Sequence, residues 1–548
     1  MKVFALVISA IITINFLLAV PMSPELESRL KQERRLSEVI EQLQQAKEKG
    51  VDATNPTHYS IAPEEQTTLY AIAILVDFSD NVGTTPSAHF DSLLASQGTY
   101  PTGSFRDFYL ENSYNNIDVV MTVVGWFRMP QTYAYYVNGQ YGFGPYPMNA
   151  QRMAEDAVWA ADPTVNFSQF DNDNNGYIDA LFIIHAGPGA EQTGNVNDIW
   201  SHAWVTVNVP YVDGVYAYGY STEPENGKIG VFCHEAGHNV FGLPDLYDYD
   251  YDSYGTGRWS LMSNGSWNGG GTSPSHLDAR SKIQAGFVTP QIPTTNQMGV
   301  LFPRVMDNPV IYKLWSYGTP GLQYFLVENR QLIGFDAYLP YAGMLIYHVD
   351  DAQSNNNNQW YPGHTTYGHY RVAVEQSDGA WHLEQYINSG DVNDPWPGTL
   401  NRRSFNDTTI PDTKDYSFAT TYVAVENISN SGDTMTADLY VRPVGIEEEM
   451  STEKNLSLFQ VSPSIGTKNF TISFFQQDRN DNITAKILDV SGRIVKKYNQ
   501  INKSSIIWNG NDNIGKRVSP GVYFVYVEYM DSNGTKNTVE IKQIIVLD

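Results

Sequence analysis

A short run near the middle of the chain has the residue types and spacing of a metal-binding catalytic helix. The run is His234-Glu-Ala-Gly-His238. On a helix of 3.6 residues per turn, the two histidines lie about 40° apart around the axis and about 6 Å apart along it. Both imidazoles therefore reach one ion, and imidazole nitrogen is a good zinc ligand. Glu235 follows the first histidine and can take a proton from a water that attacks a carbonyl group.

A catalytic zinc needs a third protein ligand and keeps a fourth position for water. A helix that stops at Gly242 and turns at Pro244 brings Asp245 back towards the metal as that ligand. Asp248 is the substitute if the turn is wider. Met262 follows at a position that suits a turn beneath the site, although an ordinary core methionine also explains it.

These side chains need a rigid scaffold, and the flanking sequence predicts a catalytic domain over residues 67–290. Continuous apolar runs at residues 69–76 and 180–185 predict buried strands. Helical periodicity predicts helices at residues 150–161 and 228–241. The alternation of the two kinds of element indicates a mixed α/β fold.

After residue 290 the pattern changes to short apolar runs separated by Gly, Pro, Asn and Asp. It predicts an all-β, sandwich-like accessory domain over residues 291–445. Residues 446–455 read as a charged linker. Residues 456–548 alternate again between turns and strands and predict a small immunoglobulin-like β-sandwich.

The N-terminus predicts export. Residues 1–22 hold an early lysine, an apolar core and small residues, which is typical of a secretory signal peptide; an uncleaved anchor helix is the alternative. Residues 23–66 are polar and charged, with a helix predicted over residues 25–49 and ended by Gly50. Such a segment reads as a pro-region that shields the active site and makes the protein a zymogen.

Composition limits the partners. The 548 residues contain 34 Lys+Arg and 60 Asp+Glu, a net charge of −26, which argues against nucleic acid and anionic lipid. No segment after the N-terminus has the length of a membrane span, so stable membrane insertion is not expected. The only cysteine is Cys233, predicted to be buried, so stability must come from packing and bound cations.

Beyond these residues, the chain resembles the immune inhibitor A family of secreted zinc metallopeptidases. The resemblance covers most of residues 69–441 and is carried by the zinc segment together with motifs spaced along the chain. These motifs are Gly103-Ser-Phe-Arg-Asp-Phe-Tyr109, Phe170-Asp-Asn-Asp-Asn-Asn-Gly-Tyr-Ile-Asp179, Ile199-Trp-Ser-His202, Pro274-Ser-His-Leu277, Val327-Glu-Asn-Arg330, Leu345-Ile-Tyr-His-Val-Asp-Asp351 and Val374-Glu-Gln-Ser-Asp-Gly379.

The resemblance implies a metzincin-like zincin fold and a secreted endopeptidase that hydrolyses extracellular proteins. It places one zinc on His234, His238 and Asp245. The spacing departs from the family pattern, because Gly242 and Asp245 each lie one residue further from the second histidine. A regular helix would turn the third ligand by about 100° after such an insertion, which keeps Asp248 open as the substitute.

The C-terminal region resembles the sorting domains of bacterial type IX secretion through Ile487-Leu-Asp-Val-Ser-Gly-Arg493, Trp508-Asn-Gly-Asn-Asp512 and Pro520-Gly-Val-Tyr-Phe524. This resemblance implies passage through two membranes, contact with the secretion machinery and release to the cell surface or medium. A plain stabilising β-module is the alternative.

A second cation is expected in the loop that begins at Asp171. Asp171, Asp173, Asn175, the carbonyl of Tyr177 and Asp179 match the first ligand positions of an EF-hand loop, with Gly at the sixth. Phe182 stands at the twelfth position, where that loop has a bidentate Glu. The prediction is a structural calcium; a polar turn without an ion is the alternative.

Other readings of the chain remain open. The oxyanion of the reaction needs a hydrogen-bond donor, and the sequence does not rank the candidates: His185, His202, His276, His348, Tyr247 and Tyr254. A non-catalytic adhesin and a calcium-dependent glycan hydrolase are the alternative functions. The presence of Glu235 argues against the adhesin, and no carboxylate pair stands out for the hydrolase.

Overall fold

The computed structural model describes residues 20–51 and 66–443 and, nearer the C-terminus, residues 459–463, 465–474, 482–489, 492–501, 503–530 and 536–547. The chain divides into two compact units, Met1–Val444 and Gly445–Asp548. The predicted linker at residues 446–455 and nearly all of the predicted signal peptide lie outside the described residues. Among the helices that are described, none combines the length and the apolar character needed to cross a membrane.

The first unit contains helices and strands in alternation and then mainly strands. Its α-helices are α1 (Pro24–Glu33), α2 (Leu36–Glu48), α3 (Ser87–Phe90), α4 (Phe105–Asn112), α5 (Tyr133–Val137), α6 (Ala150–Ala161), α7 (Ala190–Thr193), α8 (Ile229–Asn239) and α9 (Ala279–Gln284). Its strands are β1 (Thr67–Asp77), β2 (Ile117–Arg128), β3 (Leu181–His185), β4 (His202–Val205), β5 (Tyr211–Val212), β6 (Val215–Tyr216), β7 (Gly219–Pro224), β8 (Gln297–Pro303), β9 (Tyr312–Leu314), β10 (Gln323–Arg330), β11 (Gly343–Asp350), β12 (Val372–Val374), β13 (Ala424–Glu426) and β14 (Thr434–Tyr440).

The predicted pro-region holds two helices, so the single helix expected over residues 25–49 was wrong. Arg34 adopts a left-handed conformation with a φ of 59°, and its N–H donates to the carbonyl of Leu30, which ends α1. The chain bends there, and the apolar faces of both helices join one core, through Leu26, Leu30, Val39 and Leu43. A single straight helix over the same residues could not bring the apolar faces of both halves into this core.

The mixed α/β region is built on a five-stranded sheet in the order β2-β1-β3-β7-β4. All neighbours pair in parallel except β4, which is antiparallel to β7. Ile72 and Ile74 of β1 enter a core with α1, α2 and α6, while Ala73 and Leu75 enter a core with α4 and α8. Both faces of β1 are therefore covered, as its continuous apolar run predicts.

Two antiparallel sheets follow residue 290, in the orders β12-β11-β10-β9 and β13-β14-β8. Alternate side chains of β10 point to opposite faces of its sheet. Phe325 and Val327 enter a core with residues of β8 and β14, whereas Tyr324 and Leu326 enter the core that also holds α4 and α8. The four-stranded sheet therefore packs against the second sheet on one face and against the catalytic region on the other.

The second unit is all β within the part of it that is described. Its strands are β15 (Phe459–Ser462), β16 (Ile465–Gly466), β17 (Phe470–Phe474), β18 (Asn482–Asp489), β19 (Ile494–Ile501), β20 (Ser505–Trp508), β21 (Gly521–Met530) and β22 (Lys536–Val546). They form sheets in the orders β15-β17-β20 and β16-β22-β21-β18-β19. Both contribute to one core, which includes Phe470, Trp508 and Val525. An immunoglobulin-like topology stays a prediction.

Candidate metal centre and active-site cleft

The helix α8 carries His234, Glu235 and His238, and every one of its residues is buried. Tyr109 of α4 contacts this helix and helps to fix its position, because the Tyr109 hydroxyl donates a hydrogen bond to the carbonyl of Cys233 at 2.7 Å. Cys233 itself is buried and free, as predicted. The helix is therefore fixed between the sheet and α4, which limits the movement of the two histidines.

Three side chains meet beside this helix. The Nε2 atoms of His234 and His238 lie 3.2 Å apart, and they lie 3.0 Å and 3.1 Å from Oδ1 of Asp245. All three side chains are almost completely buried. Two imidazole nitrogens and one carboxylate oxygen that converge on one point form a donor set that fits zinc.

The turn after α8 explains how Asp245 reaches the histidines despite the inserted residue. The helix ends at Asn239, and Gly242 adopts a φ of 60°, which a glycine tolerates without strain. The N–H of Leu243 then donates to the carbonyl of Gly237 at 2.9 Å. The extra residue is absorbed in this turn, so the expected rotation by about 100° does not occur.

Asp248 lies elsewhere, in an acidic group with Asp250 and Asp252. Its carboxylate accepts a hydrogen bond from the hydroxyl of Ser253. Burial, followed by the charge of Asp250, raises the pKa of Asp248 well above its usual range. The structure therefore brings Asp245 to the two histidines and leaves Asp248 in a separate group.

Backbone carbonyls orient both imidazoles. Nδ1 of His234 lies 2.9 Å from the carbonyl of Leu261, and Nδ1 of His238 lies 2.7 Å from the carbonyl of Leu243. Donation from Nδ1 leaves the Nε2 lone pair of each ring facing Asp245, which is the tautomer that a metal ligand needs. Burial opposes ionisation of Asp245, but the two imidazoles outweigh it and hold the pKa of Asp245 below its ordinary value.

Met262 lies directly against α8, a position that fits both a turn beneath the site and an ordinary core methionine. Its sulfur is so close to Gly237 that a Cβ added there would lie 2.5 Å from it. The carbonyl of Met262 also accepts from the N–H of Leu246 at 2.7 Å. This residue therefore connects the middle of α8 to the segment that carries Asp245.

The N-terminal segment lies across Glu235. The N–H of Val20 donates to Oε1 of Glu235 at 3.0 Å, and Val20 is 1 % exposed. The next residues are held through their backbone: the indoles of Trp200 and Trp267 donate to the carbonyls of Val20 and Pro21 at 3.0 Å and 2.7 Å. Backbone contacts of this kind resemble those by which a cleft holds an extended peptide.

Two further backbone bonds continue this path towards α1. The N–H of Met22 donates to the hydroxyl of Tyr251 at 3.2 Å, and the N–H of Ser23 donates to the carbonyl of Glu191 at 2.9 Å. Trp200, Trp267 and Tyr251 are cleft residues that no sequence pattern marks as such. Trp200 lies in the motif Ile199-Trp-Ser-His202, but a buried aromatic residue of the cleft has the same sequence signal as one of the core.

The first helix is anchored beside the cleft by Glu27, which is 6 % exposed. Its carboxylate accepts hydrogen bonds from the hydroxyls of Tyr386 and Tyr254 and pairs with Lys31 at 2.6 Å. The ammonium of Lys31 lies 3.9 Å from the centre of the Tyr386 ring. The predicted pro-region is therefore attached to both the catalytic region and the β-rich region that follows it.

The predicted calcium loop brings three carboxylates together. Ligand atoms of Asp171, Asp173 and Asp179 lie within 4.8 Å of one another. Asp171 and Asp173 accept hydrogen bonds from the N–H of Asn175 at 3.0 Å, and the N–H of Tyr177 donates to the side chain of Asn175 at 2.9 Å. The residue at the twelfth position, Phe182, is buried in β3 and supplies no ligand.

Asp179 is the buried member of this group. Its Oδ2 accepts from the N–H and side-chain amide of Asn172, while its Oδ1 has no hydrogen-bond partner within the described ranges. Burial first, and then the charges of Asp173 and Asp171, raise the pKa of Asp179 to about 6 although the bonds from Asn172 oppose the shift.

The other histidine candidates are engaged away from the three converging side chains. Nδ1 of His185 lies 3.1 Å from the carbonyl of Ala186, and Nε2 of His202 lies 3.2 Å from the hydroxyl of Tyr220. His276 pairs with Glu111 at 2.7 Å, and His348 lies near Glu375.

The two tyrosine candidates lie nearer the cleft. The ring of Tyr247 is centred 6.4 Å from that of His234. The hydroxyl of Tyr254 donates to Glu27 at 3.4 Å, so it faces the first helix. Which group stabilises an oxyanion stays a prediction.

Known proteins are similar to part of this chain. The curated protein "Immune inhibitor A" of Bacillus thuringiensis subsp. alesti is 36% identical over 216 residues, which are 33% of this chain and 31% of that protein. "Pre-pro-metalloprotease PrtV" of Vibrio cholerae is 35% identical over 238 residues, 36% of this chain and 26% of that protein. The chain thus spans less than a third of the length of these relatives.

Solved structures give much weaker likenesses. PorZ of Porphyromonas gingivalis, a type-IX secretion component, is 20% identical over 23% of this chain and 15% of PorZ, with a TM-score of 0.14. OgpA of Akkermansia muciniphila is 11% identical over 90% of this chain and 97% of OgpA, with a TM-score of 0.21. These scores carry no information on the fold or function of this chain.

The family match covers the region that holds the converging side chains. Residues 65–287 match the model described as the catalytic domain of immune inhibitor A peptidase M6. This range begins just before β1 and ends after α9, so it includes the whole five-stranded sheet and α8. Residues 65–287 are therefore similar to a metallopeptidase catalytic domain, that of immune inhibitor A peptidase M6.

Proposed function

We propose that the protein is a secreted zinc endopeptidase that hydrolyses peptide bonds of extracellular proteins. The observation that carries the proposal is the convergence of His234, His238 and Asp245 beside Glu235. His234 and His238 bind through Nε2 and Asp245 through Oδ1. When bound there, zinc supplies a Lewis acid for the attacking water and the scissile carbonyl.

The protein groups around this site transfer the proton, orient the two imidazoles and bind the substrate backbone. Glu235 accepts a proton from the attacking water at its carboxylate and then gives it to the departing amine nitrogen. The carbonyls of Leu261 and Leu243 keep the two imidazoles in the ligating tautomer. The indoles of Trp200 and Trp267 and the hydroxyl of Tyr251 hold an extended substrate backbone in the cleft.

We infer that residues 20–23 keep the enzyme latent. They use the same cleft groups that a substrate would need, and the N–H of Val20 is bonded to the proposed general base. This proposal requires that a signal peptide is cut before Val20, three residues earlier than the predicted cut after residue 22. Activation then requires removal of the segment that contains α1 and α2.

Two further proposals concern a structural calcium ion and the type of catalytic domain. Calcium binds to Asp171, Asp173, Asn175, Asp179 and the carbonyl of Tyr177, and the buried Oδ1 of Asp179 supports this assignment. The ion is structural and fixes the loop between α6 and β3. The catalytic domain is of the metzincin-like kind, with Met262 beneath the helix of the two histidines.

The C-terminal unit is proposed to act in export. Its turn motifs and two-sheet architecture support a role as a type IX sorting domain that contacts the secretion machinery. A surface location then follows for the mature protein.

Three single variants test the zinc proposal in the processed protein. Glu235→Gln keeps about one zinc per chain but lowers casein hydrolysis by a factor on the order of 10² to 10⁴, because only the proton carrier is lost. Asp245→Ala loses both zinc and activity. Asp248→Ala is the matched control and keeps its zinc. Zinc is measured by atomic absorption, and an active, zinc-replete Asp245→Ala protein would refute the assignment.

A further inference from the structure

A cavity of about 300 Å³ lies in the β-rich part of the first unit, beside β11 and β12. None of its lining residues belongs to the zinc site or to the cleft described above. Its walls combine aromatic rings with ionisable groups, among them Trp360, Tyr416, Phe418, Glu375, Glu384 and His348. A cavity of this size is at the lower end of the range for small-molecule sites.

The aromatic side chains form a connected wall. The ring of Trp360 lies 5.9 Å from that of Tyr416 and 6.1 Å from that of Phe418. The ring of Tyr416 stacks on His348 at 4.2 Å, with 6° between the ring planes. Phe418 is 59% exposed and so lies at the mouth of the cavity, whereas His348 is buried.

The floor of the cavity is acidic. The side chain of Glu375 is 12% exposed and that of Glu384 is nearly fully buried. Glu384 accepts a hydrogen bond from the amide of Gln376 at 2.6 Å. Within the described residues, Glu375 accepts no side-chain hydrogen bond, and its nearest basic group is Nδ1 of His348 at 3.5 Å.

No group in the described lining neutralises Glu375. His348 is uncharged, since burial lowers the pKa of its imidazole to about 3, and its buried Nε2 has no partner there. The ammonium of Lys414 is already engaged, at 3.0 Å from Asp412 and 2.8 Å from the carbonyl of Asp407. A buried carboxylate without a cationic partner is costly to ionise unless a ligand supplies the charge.

We propose that this cavity binds a positively charged organic group, the ammonium or guanidinium end of an alkyl chain such as a lysine or arginine side chain. The cation lies against the face of Trp360, where the ring quadrupole attracts it, because both faces of Tyr416 are already covered by the rings of His348 and His369. Its charge pairs with Glu375, and its alkyl stem contacts the apolar lining residues Val374 and Pro411. The group reaches the site either as part of a polypeptide or as a free amine.

Binding should release a proton, which gives the test a specific signature. Burial first and then the charge of Asp412 raise the pKa of Glu375 to about 8, so this carboxyl is protonated at pH 7 in the empty cavity. A bound cation favours the carboxylate and drives the proton into the buffer. Glu384 has its pKa raised to about 8 by burial and contributes to the same release.

The experiment is calorimetric titration of the full chain with butylammonium at pH 7, in two buffers that differ in ionisation enthalpy. We expect butylammonium to bind at least about tenfold more tightly than 1-butanol and to release about one proton. Titrations with Nα-acetyl-lysine amide and with the peptide Ala-Ala-Lys-Ala-Ala show whether the cation comes from a polypeptide or from a free amine. If the peptide binds, the site takes a polypeptide side chain, and if only the small amines bind, it takes a free amine.

Variants show whether the binding of butylammonium and the release of the proton take place in this cavity. Glu375→Gln should weaken butylammonium binding at least about tenfold and reduce the proton release, and Phe418→Ala, at the exposed mouth, should weaken it about fivefold. Asp91→Asn makes the matching change from a carboxyl to an amide at an exposed residue outside the cavity and should change neither quantity. Equal affinity for butanol, no binding of any amine, or unchanged binding by both cavity variants would overturn the proposal.

Discussion

The contact between Glu27 and the cleft edge offers a sharp test of the latency proposal. Glu27→Gln keeps the size of the side chain but removes the negative charge that the hydroxyls of Tyr386 and Tyr254 contact. A hydrogen bond to a charged, buried group contributes about 1.5–3 kcal/mol. The pair with Lys31, whose side chain is 39% exposed, adds little because solvent screens it.

A net loss of about 2 kcal/mol would raise the fraction of molecules with an open cleft about 30-fold. The assay is the initial rate of fluorogenic casein hydrolysis by the unprocessed protein, with gel samples to show that the pro-region is intact. Glu33→Gln is the matched control, since Glu33 is 45% exposed and pairs only with Arg35 at 3.5 Å. An unchanged rate for Glu27→Gln, or an equal rise for Glu33→Gln, would refute the role of this contact in latency.

Three further changes test how the site is supported. Tyr109→Phe removes the 2.7 Å bond to the carbonyl of Cys233, and we expect a loss of about 1 kcal/mol in urea unfolding with zinc retained; equal stability would contradict this. Gly237→Ala places a Cβ 2.5 Å from the sulfur of Met262, so activity and melting temperature should both fall. Without calcium, Asp179 binds a proton in the folded state that the unfolded state has released, because burial raises its pKa from 3.8 to about 6. Its contribution to stability therefore falls as the pH rises from about 4 to about 6, by up to about 3 kcal/mol; Asp179→Asn should lose both this component and any stabilisation by added calcium, as melting curves at several pH values would show.

The sequence was sufficient to bring together the two proposed zinc ligands that lie on one helix. The four-residue spacing of His234 and His238 is a property of helix geometry, so their meeting follows from local structure alone. The position of Asp245 depends on where the helix ends, because the inserted residue changes the register if the helix continues. The stop at Asn239 and the left-handed Gly242 depend on contacts with Gly237 and Leu243 that local propensity does not encode.

The contact of Val20 with Glu235 could not be predicted. Residues 20–22 have the apolar and small character of the end of a signal peptide, and nothing local distinguishes a buried cleft segment from one that is removed. The break at Arg34 was missed for a related reason. Helix propensity is continuous through residues 25–49, and only the shared core of α1 and α2 requires the bend.

The four-stranded sheet of β9 to β12 has a consequence for how such a protein changes over evolution. Tyr324 and Leu326 belong to the interior of the catalytic region, whereas Phe325 and Val327 belong to the interior of the β-rich region. A strand that serves two interiors cannot be exchanged as a module, because each replacement would have to match both at once. Gene fusion or shuffling is therefore expected to cut the chain near residue 444, between the two compact units, and to transmit residues 66–443 as one heritable block.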